Sequence, residues 1–223
     1  MNDEMKVRIW DLPVRLFHWT LVVLVSISLY TGIKGGFTEM DFHMLSGYSI
    51  LTLIGFRITW GFLGSKHARF SEFVTLRNVI PYARKIMHRS VDETLGHNPL
   101  GALSIIAMLL VLGVQAITGL FANDDIMLEG PLTHLVSDEV SNRLTGVHHL
   151  NAKLIYLLVG LHLTAIAFYE LYRGERLILP MLTGKKRTVT PPHEQPRVLR
   201  EIVTALILLA ITAGGVYYLV KYV

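Results

Sequence analysis

Val147-His148-His149-Leu150-Asn151-Ala152-Lys153-Leu154-Ile155-Tyr156-Leu157-Leu158-Val159-Gly160-Leu161-His162-Leu163 is the stretch that decides the fold. It belongs to an apolar run from Val147 to Tyr172, long enough as a helix to cross the roughly 30 Å hydrocarbon core of a bilayer. Ionisable side chains inside a span are costly and face a functional interior by default. Fourteen helical residues advance about 21 Å and bring His162 back to within ~40° of the face that carries His148, so one helix can hold two stacked sites. His149 fails the same test, lying ~140° away from His162.

Four more apolar runs accompany this one: Leu16 to Ile33, Phe42 to Leu63, Leu100 to Phe121 and Ile202 to Val220. With 52% hydrophobic residues and a mean hydropathy of +0.45, the chain reads as a membrane bundle, since spanning segments must satisfy their own backbone polar groups. The charge is clustered between the runs. Lys6, Arg8 and Arg15 precede the first, and Lys66, Arg69, Arg77, Arg84, Lys85 and Arg89 follow the second. Arg173, Arg176, Lys185, Lys186, Arg187, Arg197 and Arg200 follow the fourth, whereas the loop after the third holds Asp124, Asp125, Glu129, Asp138 and Glu139. The positive-inside bias puts the amino terminus in the cytoplasm and, with five crossings, the carboxyl terminus outside. The net charge of +4 is then a topology signal, not a nucleic-acid footprint. Asp3 and Glu4 at the start, and no Ala-x-Ala-like site after the first run, identify that run as a retained anchor.

The long inner connection, Gly64 to Pro99, spaces Val79, Ile80, Ala83, Ile86 and Met87 at near-helical intervals opposite Arg77, Arg84 and Lys85, the pattern of either an interfacial helix or a solvated loop with local helix. Pro191, Pro192 and Pro196 break the chain before the last run, which reads as loosely tethered and peripheral. No internal repeat stands out.

The absence of cysteine removes disulfides, thiolate metal sites and covalent haem attachment. Of the ten histidines, four sort by depth into spans: His18, His43, His148 and His162. The first span runs outward and the fourth inward, so His18 and His162 share the cytoplasmic level, and His43 and His148 share the outer one. Two levels of facing imidazoles with apolar walls match two non-covalent bis-histidine b haems, with irons of order 20 Å apart along the membrane normal. A single histidine in a span is more often a satisfied core residue, but four at matched depths argue otherwise. His67, His88, His97, His134 and His193 read as surface residues. Arg57 lies fourteen residues after His43, on a similar face, and suits a haem propionate or a snorkelling cation; Arg15 is a second propionate candidate or a positive-inside anchor. Gly32, Gly47, Gly55, Gly113, Gly119 and Gly160 allow close approach of helices or a porphyrin.

Three fragments, Trp10-Asp-Leu-Pro-Val-Arg-Leu-Phe-His18-Trp19, Arg57-Ile-Thr-Trp60-Gly61-Phe-Leu-Gly64 with Ala68-Arg69-Phe70, and Gly96-His97-Asn98-Pro99-Leu100-Gly101, together with the His148 and His162 spacing, resemble the bacterial cytochrome b561 family. That family includes the b-type cytochrome subunit of nickel–iron hydrogenases. The resemblance covers Trp10 to about Lys186. It implies an all-α integral membrane bundle with a four-helix di-haem core, the ligands falling on His18, His43, His148 and His162. Residues 1–187 would form that core, with spans at about 16–33, 42–63, 100–121 and 147–172, and residues 188–223 a linker and an additional C-terminal helix at about 202–220.

The resemblance further implies electron transfer in a bacterial inner membrane between the quinone pool and a periplasmic redox partner, a c-type cytochrome or a hydrogenase-like enzyme. This is electron relay in the respiratory chain rather than bond-making on a substrate, and the acidic loop from Asp124 to Glu139 is the expected docking face. Lipid and quinone are the small-molecule partners, and association with a second copy is compatible with the sequence. A self-contained superoxide:quinone oxidoreductase is the enzymatic alternative, and a haem-free proton or metal transporter the less favoured one.

Overall fold

A computed structural model describes residues 5–74, 79–85, 96–124, 128–188 and 198–223. Helix α1, Leu12–Lys34, begins where Asp11 accepts a hydrogen bond from the Val14 amide and Pro13 occupies the first turn, a combination that satisfies one free amide and removes another. It ends at Gly35 and Gly36, whose φ values of 64° and 96° suit glycine and reverse the chain into α2, Phe37–Leu63. Short helices α3, Phe70–Phe73, and α4, Val79–Lys85, follow. Asn98 and Pro99 repeat the capping device at the start of α5, Pro99–Gly119, where the Asn98 side chain accepts from the Gly101 amide. Ser137 caps α6, Asp138–Ala167, which continues through a π-helical turn at Phe168–Arg173. Helix α7, Ile178–Thr183, and α8, Val198–Tyr222, complete the helical set.

One element of the fold has no counterpart in the sequence expectation. Strand β1, Met5–Arg8, pairs antiparallel with β2, Lys185–Thr188, in the register Met5 to Thr188 through Arg8 to Lys185. The Ile9 and Trp10 amides then donate to the Gly184 carbonyl. This ribbon ties the segment entering α1 to the segment leaving α7, and it marks one end of the bundle, here the terminal end. The Gly35–Gly36 reversal marks the other, the turn end.

Helix α2 is the centre of the bundle, packing against α1, α5 and α8, while α6 packs on α5 and stands off from α1 and α2. That central position explains a difference from the expected five apolar spans. Among the described residues four helices, α1, α5, α6 with its π-helical extension, and α8, are long and apolar enough to cross a membrane. Helix α2 is as long, but polar residues such as Ser46 and Arg57 interrupt its apolar run, and both are buried inside the bundle rather than offered to lipid. Apolar burial concentrates in two layers. One, at the terminal end, joins Val14, Phe56, Trp60, Ala68 and Ala205. The other joins Ile50, Ile54, Leu112 and Ile155, at mid-height.

Helix α8 is not peripheral. Ala205 is buried in the terminal-end layer, Arg8 and Glu201 form an ion pair at 2.8 Å, and a Cβ added at Gly55 would meet the Thr212 methyl at 3.3 Å. The link between α5 and α6 is equally fixed: Ser141, with no exposed surface, donates to the Phe121 carbonyl at 2.7 Å, and the Asn123 amide donates to Thr145 Oγ1 at 3.0 Å. Of the expected amphipathic stretch, α4 carries Val79, Ile80 and Ala83 in helix; Arg77, Ile86 and Met87 lie outside the described residues, as do Asp125, His88, His193 and the prolines before α8.

Candidate functional site

The four histidines read from the sequence meet in two pairs. His18 on α1 faces His162 on α6 with ring centres 6.4 Å apart, and His43 on α2 faces His148 on α6 at 6.1 Å. Two imidazoles bound to opposite sides of one metal ion, with metal–nitrogen bonds of about 2.0–2.1 Å and about 1.1 Å from nitrogen to ring centre, would place their centres roughly 6.3 Å apart. Both pairs sit at that distance. Between the levels, Ile50, Ile54, Leu112 and Ile155 form an apolar wall.

The turn-end pair borders a small pocket, partly open at the surface, lined by both histidines with Val25, Leu29, Gly47, Gln115 and Leu120 among others. An added Cβ at Gly47 would find nothing within 4 Å, which leaves room for a flat ring against α2. Each histidine here is held by the helix behind it in the same way. His43 Nδ1 lies 2.9 Å from the Ser28 carbonyl on α1, and His148 Nδ1 lies 3.0 Å from the Gln115 carbonyl on α5. A carbonyl only accepts, so both Nδ1 atoms carry the proton and both Nε2 atoms present a lone pair. Three residues beyond each carbonyl stands a buried threonine, Thr31 or Thr118, whose hydroxyl approaches the histidine Nδ1 at 3.4 and 3.3 Å. Next comes a glycine, Gly32 or Gly119, where a Cβ would come within 3.0 Å of the imidazole. Gln115 also reaches round with its amide: Nε2 lies 3.0 Å from His148 Nε2, and Oε1 accepts from Asn151 at 2.8 Å.

This carbonyl, threonine and glycine notch is an internal repeat that the sequence reading missed. Its signal is Ser28-Leu-Tyr-Thr31-Gly32 and Gln115-Ala-Ile-Thr118-Gly119, each inside an apolar run, with a histidine on the helix that follows.

At the terminal end the surroundings differ. His18 packs edge-on to Trp19 at 5.1 Å, and its Nδ1 is buried with no hydrogen-bond partner. Arg57 is 3% exposed, so it does not snorkel to the headgroups. Its guanidinium lies 4.9 Å from the centre of the Phe70 ring and 5.9 Å from that of Phe73, and Nη1 is buried without a hydrogen-bond partner. Arg15 donates to the Leu182 carbonyl at the end of α7, which docks that helix onto α1.

His97 is not a surface residue. Its ring is wedged between Trp10 and Phe73, with centres 4.4 and 4.7 Å away, and its Nδ1 is buried without a partner. Burial, with the charges of Arg57 and His67 beside it, pushes its pKa down to about 3. Sequence position misled here, because a connection between spans need not be exposed when it folds under the bundle. His67 is partly buried in the same region, and His134 is exposed as expected. From the fragments Trp10-Asp11, Arg57 to Gly64, Ala68 to Phe70 and Gly96 to Pro99, the residues Asp11, Arg57, Trp60 and Ala68 are buried together beneath the His18 level, with Trp10, Phe70 and His97 partly buried around them and Ile58, Phe62 and Leu63 facing outward. Asp11 accepts from Trp60 Nε1 at 3.1 Å and from the Ser65 hydroxyl. Among the described residues, no group of three or more His, Cys, Asp or Glu converges as a conventional metal-ion site.

Comparison with known proteins agrees with this architecture. Residues 9–184 match the family described as prokaryotic cytochrome b561. The probable Ni/Fe-hydrogenase B-type cytochrome subunit of Rhodobacter capsulatus is 21% identical over 213 residues, covering 81% of each chain. The proteins of the same description from Azotobacter vinelandii and Azotobacter chroococcum mcd 1 are 25% and 23% identical, each match covering 82% of this chain and 90% of the relative. No solved structure matches the chain. The matched span contains both histidine pairs, both notches and the buried terminal-end cluster, and stops short of α8; the chain belongs to the prokaryotic cytochrome b561 family, the membrane-embedded b-type cytochromes.

Proposed function

We propose that the chain relays electrons across a bacterial inner membrane through two b haems, one between His18 and His162 and one between His43 and His148, linking quinone to a periplasmic redox partner. The observation that carries this reading is the spacing of the two histidine pairs, 6.4 and 6.1 Å between ring centres, at two levels of one bundle. Haem b, when bound, supplies one-electron iron chemistry in a low-dielectric pocket. The chain's own residues do the rest. His43 and His148 keep their protons on Nδ1, because the Ser28 and Gln115 carbonyls hold that side of each ring; His43 offers Nε2, and His148 Nε2, which accepts from the Gln115 amide in this structure, would exchange that donor for the iron. Ile50, Ile54, Leu112 and Ile155 exclude water between the two levels. Arg57, a buried cation at the terminal end, would counter propionate charge there.

The terminal end, with its basic strands and connections, is the cytoplasmic one in this reading, and the acidic link between α5 and α6 faces a periplasmic partner of the hydrogenase or c-type cytochrome kind. Residues 1–187 form the di-haem core, and α8 is an added span that buttresses α2. The test is a reduced-minus-oxidised optical spectrum of the purified protein with haem counted per chain. Two b haems in the native chain, with His162→Ala and His43→Ala each losing a different one, is the expected result. Well-folded protein that never binds haem would sink the proposal.

A further inference from the structure

The two histidine pairs are supported unequally, and the inequality bears on how the two haems would differ. At the turn end both rings are seated in the same notch: Nδ1 on a helix carbonyl at 2.9 or 3.0 Å, a threonine hydroxyl beside it, and a glycine against the ring. A carbonyl that accepts the Nδ1 proton pushes electron density into the imidazole and makes Nε2 a more basic ligand, which favours the ferric state of a bound iron. At the terminal end His18 Nδ1 is buried with no acceptor, so that ring gains no such density. Arg57, buried at the same end, adds a cation there that the Asp11 carboxylate partly balances. A cation in a low-dielectric region stabilises an added electron on that side of the bundle.

We infer that the Ser28–Gly32 and Gln115–Gly119 notches are potential-setting devices, which make the haem between His43 and His148 the lower-potential one of the two. Ser28, Thr31, Thr118, Gly32, Gly119 and the backbone carbonyl of Gln115 are positioning groups in this sense: they act on the iron only through the histidine they hold. This rests on the ligand assignment proposed above, and the test separates the two.

The test is an optical redox titration of the purified, haem-loaded protein, with haem content measured in parallel, on the native chain and on His43→Ala, Gly32→Ala, Gly119→Ala and Gly214→Ala. Alanine raises helix propensity over glycine, so these glycine variants keep their helices. At Gly32 and Gly119 the new methyl would press on the imidazole at 3.0 Å and ease it off its carbonyl, whereas at Gly214, exposed on α8, it meets nothing within 4 Å. The inference expects His43→Ala to remove the low-potential component. It also expects Gly32→Ala and Gly119→Ala each to raise that component by up to about tenfold in its reduction equilibrium, about 59 mV for one electron, while Gly214→Ala leaves both components in place. Loss of the high-potential component in His43→Ala overturns the inference and leaves the ligand assignment standing. Unmoved potentials in both Gly32→Ala and Gly119→Ala overturn it as well. Full haem content and an unchanged spectrum in His43→Ala would remove the ligand assignment, and the inference with it, and that result is read from haem content rather than from potentials.

Discussion

The indole Nε1 of Trp60 donates to Asp11 Oδ2 at 3.1 Å, so the last turn of α2 is bonded to the residue that caps the first turn of α1. Asp11 is 3% exposed and serves three donors at once: the Val14 amide, the Trp60 indole and the Ser65 hydroxyl. Removing it takes away a helix cap worth about 1 kcal/mol and strands a buried indole donor at a cost of about 1–3 kcal/mol. Asp11→Ala is therefore expected to lower stability by roughly 2–4 kcal/mol, and Asp11→Asn, which keeps an acceptor at the cap, by less. Thermal unfolding of the detergent-solubilised protein measures both. Equal stability of the native chain and Asp11→Ala would mean that the bonds contribute nothing.

Gly61 is the place where Phe70 folds back over α2. A Cβ there would run into the Phe70 ring, the same ring that covers the Arg57 guanidinium at 4.9 Å. Gly61→Ala must push Phe70 aside and uncover a buried cation, so a destabilisation of about 1–3 kcal/mol is expected from overpacking alone. Hydrogen exchange in residues 66–74 would rise with it. A variant with native exchange in that segment would show that Phe70 has room the structure does not reveal.

His97 gives a pH dependence with a definite sign. The folded chain holds it neutral down to about pH 3, whereas the unfolded chain takes up its proton near 6.5. Between those values the unfolded state binds more protons, so His97 costs stability progressively as pH falls from about 6.5 towards 3 and contributes no slope above that window. The slope is at most about 1.4 kcal/mol per pH unit. His97→Phe keeps a ring between Trp10 and Phe73, deletes a buried nitrogen that has no partner, and should flatten the acid limb of a stability-versus-pH curve. A smaller slope remains from His67, which burial also depresses. Parallel curves for the native and His97→Phe proteins would exclude the buried neutral form.

The histidine pairs were legible because depth along a helix follows from residue count, and because ionisable groups stand out in an apolar run. His18, His43, His148 and His162 needed no partner information to be placed at two levels. The α8 contact was not legible: Ala205, Gly55 and Thr212 are ordinary residues for a membrane helix, and only packing shows that they touch α2. Nor was α2 recognisable as the central helix, although Ser46 and Arg57 within it hinted that it was shielded from lipid. Asp11 and His97 were hidden for a different reason. Their meaning depends on the described ends of the inner connection, Ser65 to Phe73 and Gly96 to Asn98, packing against the bundle, and composition alone makes such residues look exposed. The β1–β2 ribbon joins residues about 180 positions apart through backbone bonds, for which basic side chains give no periodic signal.

The acidic side chains between α5 and α6 test the proposed partner. Asp124, Glu129, Asp138 and Glu139 are all exposed, and Glu139 pairs with Arg143 at 2.6 Å on the outer surface of α6. Exposed charges of one sign act on diffusional encounter over about a Debye length, roughly 8 Å at physiological salt, and contribute little once two surfaces are docked. If this face receives a basic redox partner, Asp138→Asn with Glu129→Gln should slow bimolecular electron transfer severalfold at low ionic strength and leave the maximal rate at saturating partner unchanged. Raising the salt should erase the difference, because screening removes from the native chain what the substitutions remove from the variant. Stopped-flow reduction of the cytochrome by a soluble c-type cytochrome at two ionic strengths reads this directly. Identical rates at low salt would move the docking face elsewhere, while a lower maximal rate would point to a disturbed link between α5 and α6, where Ser141 and Thr145 hold the loop against the turn-end pair.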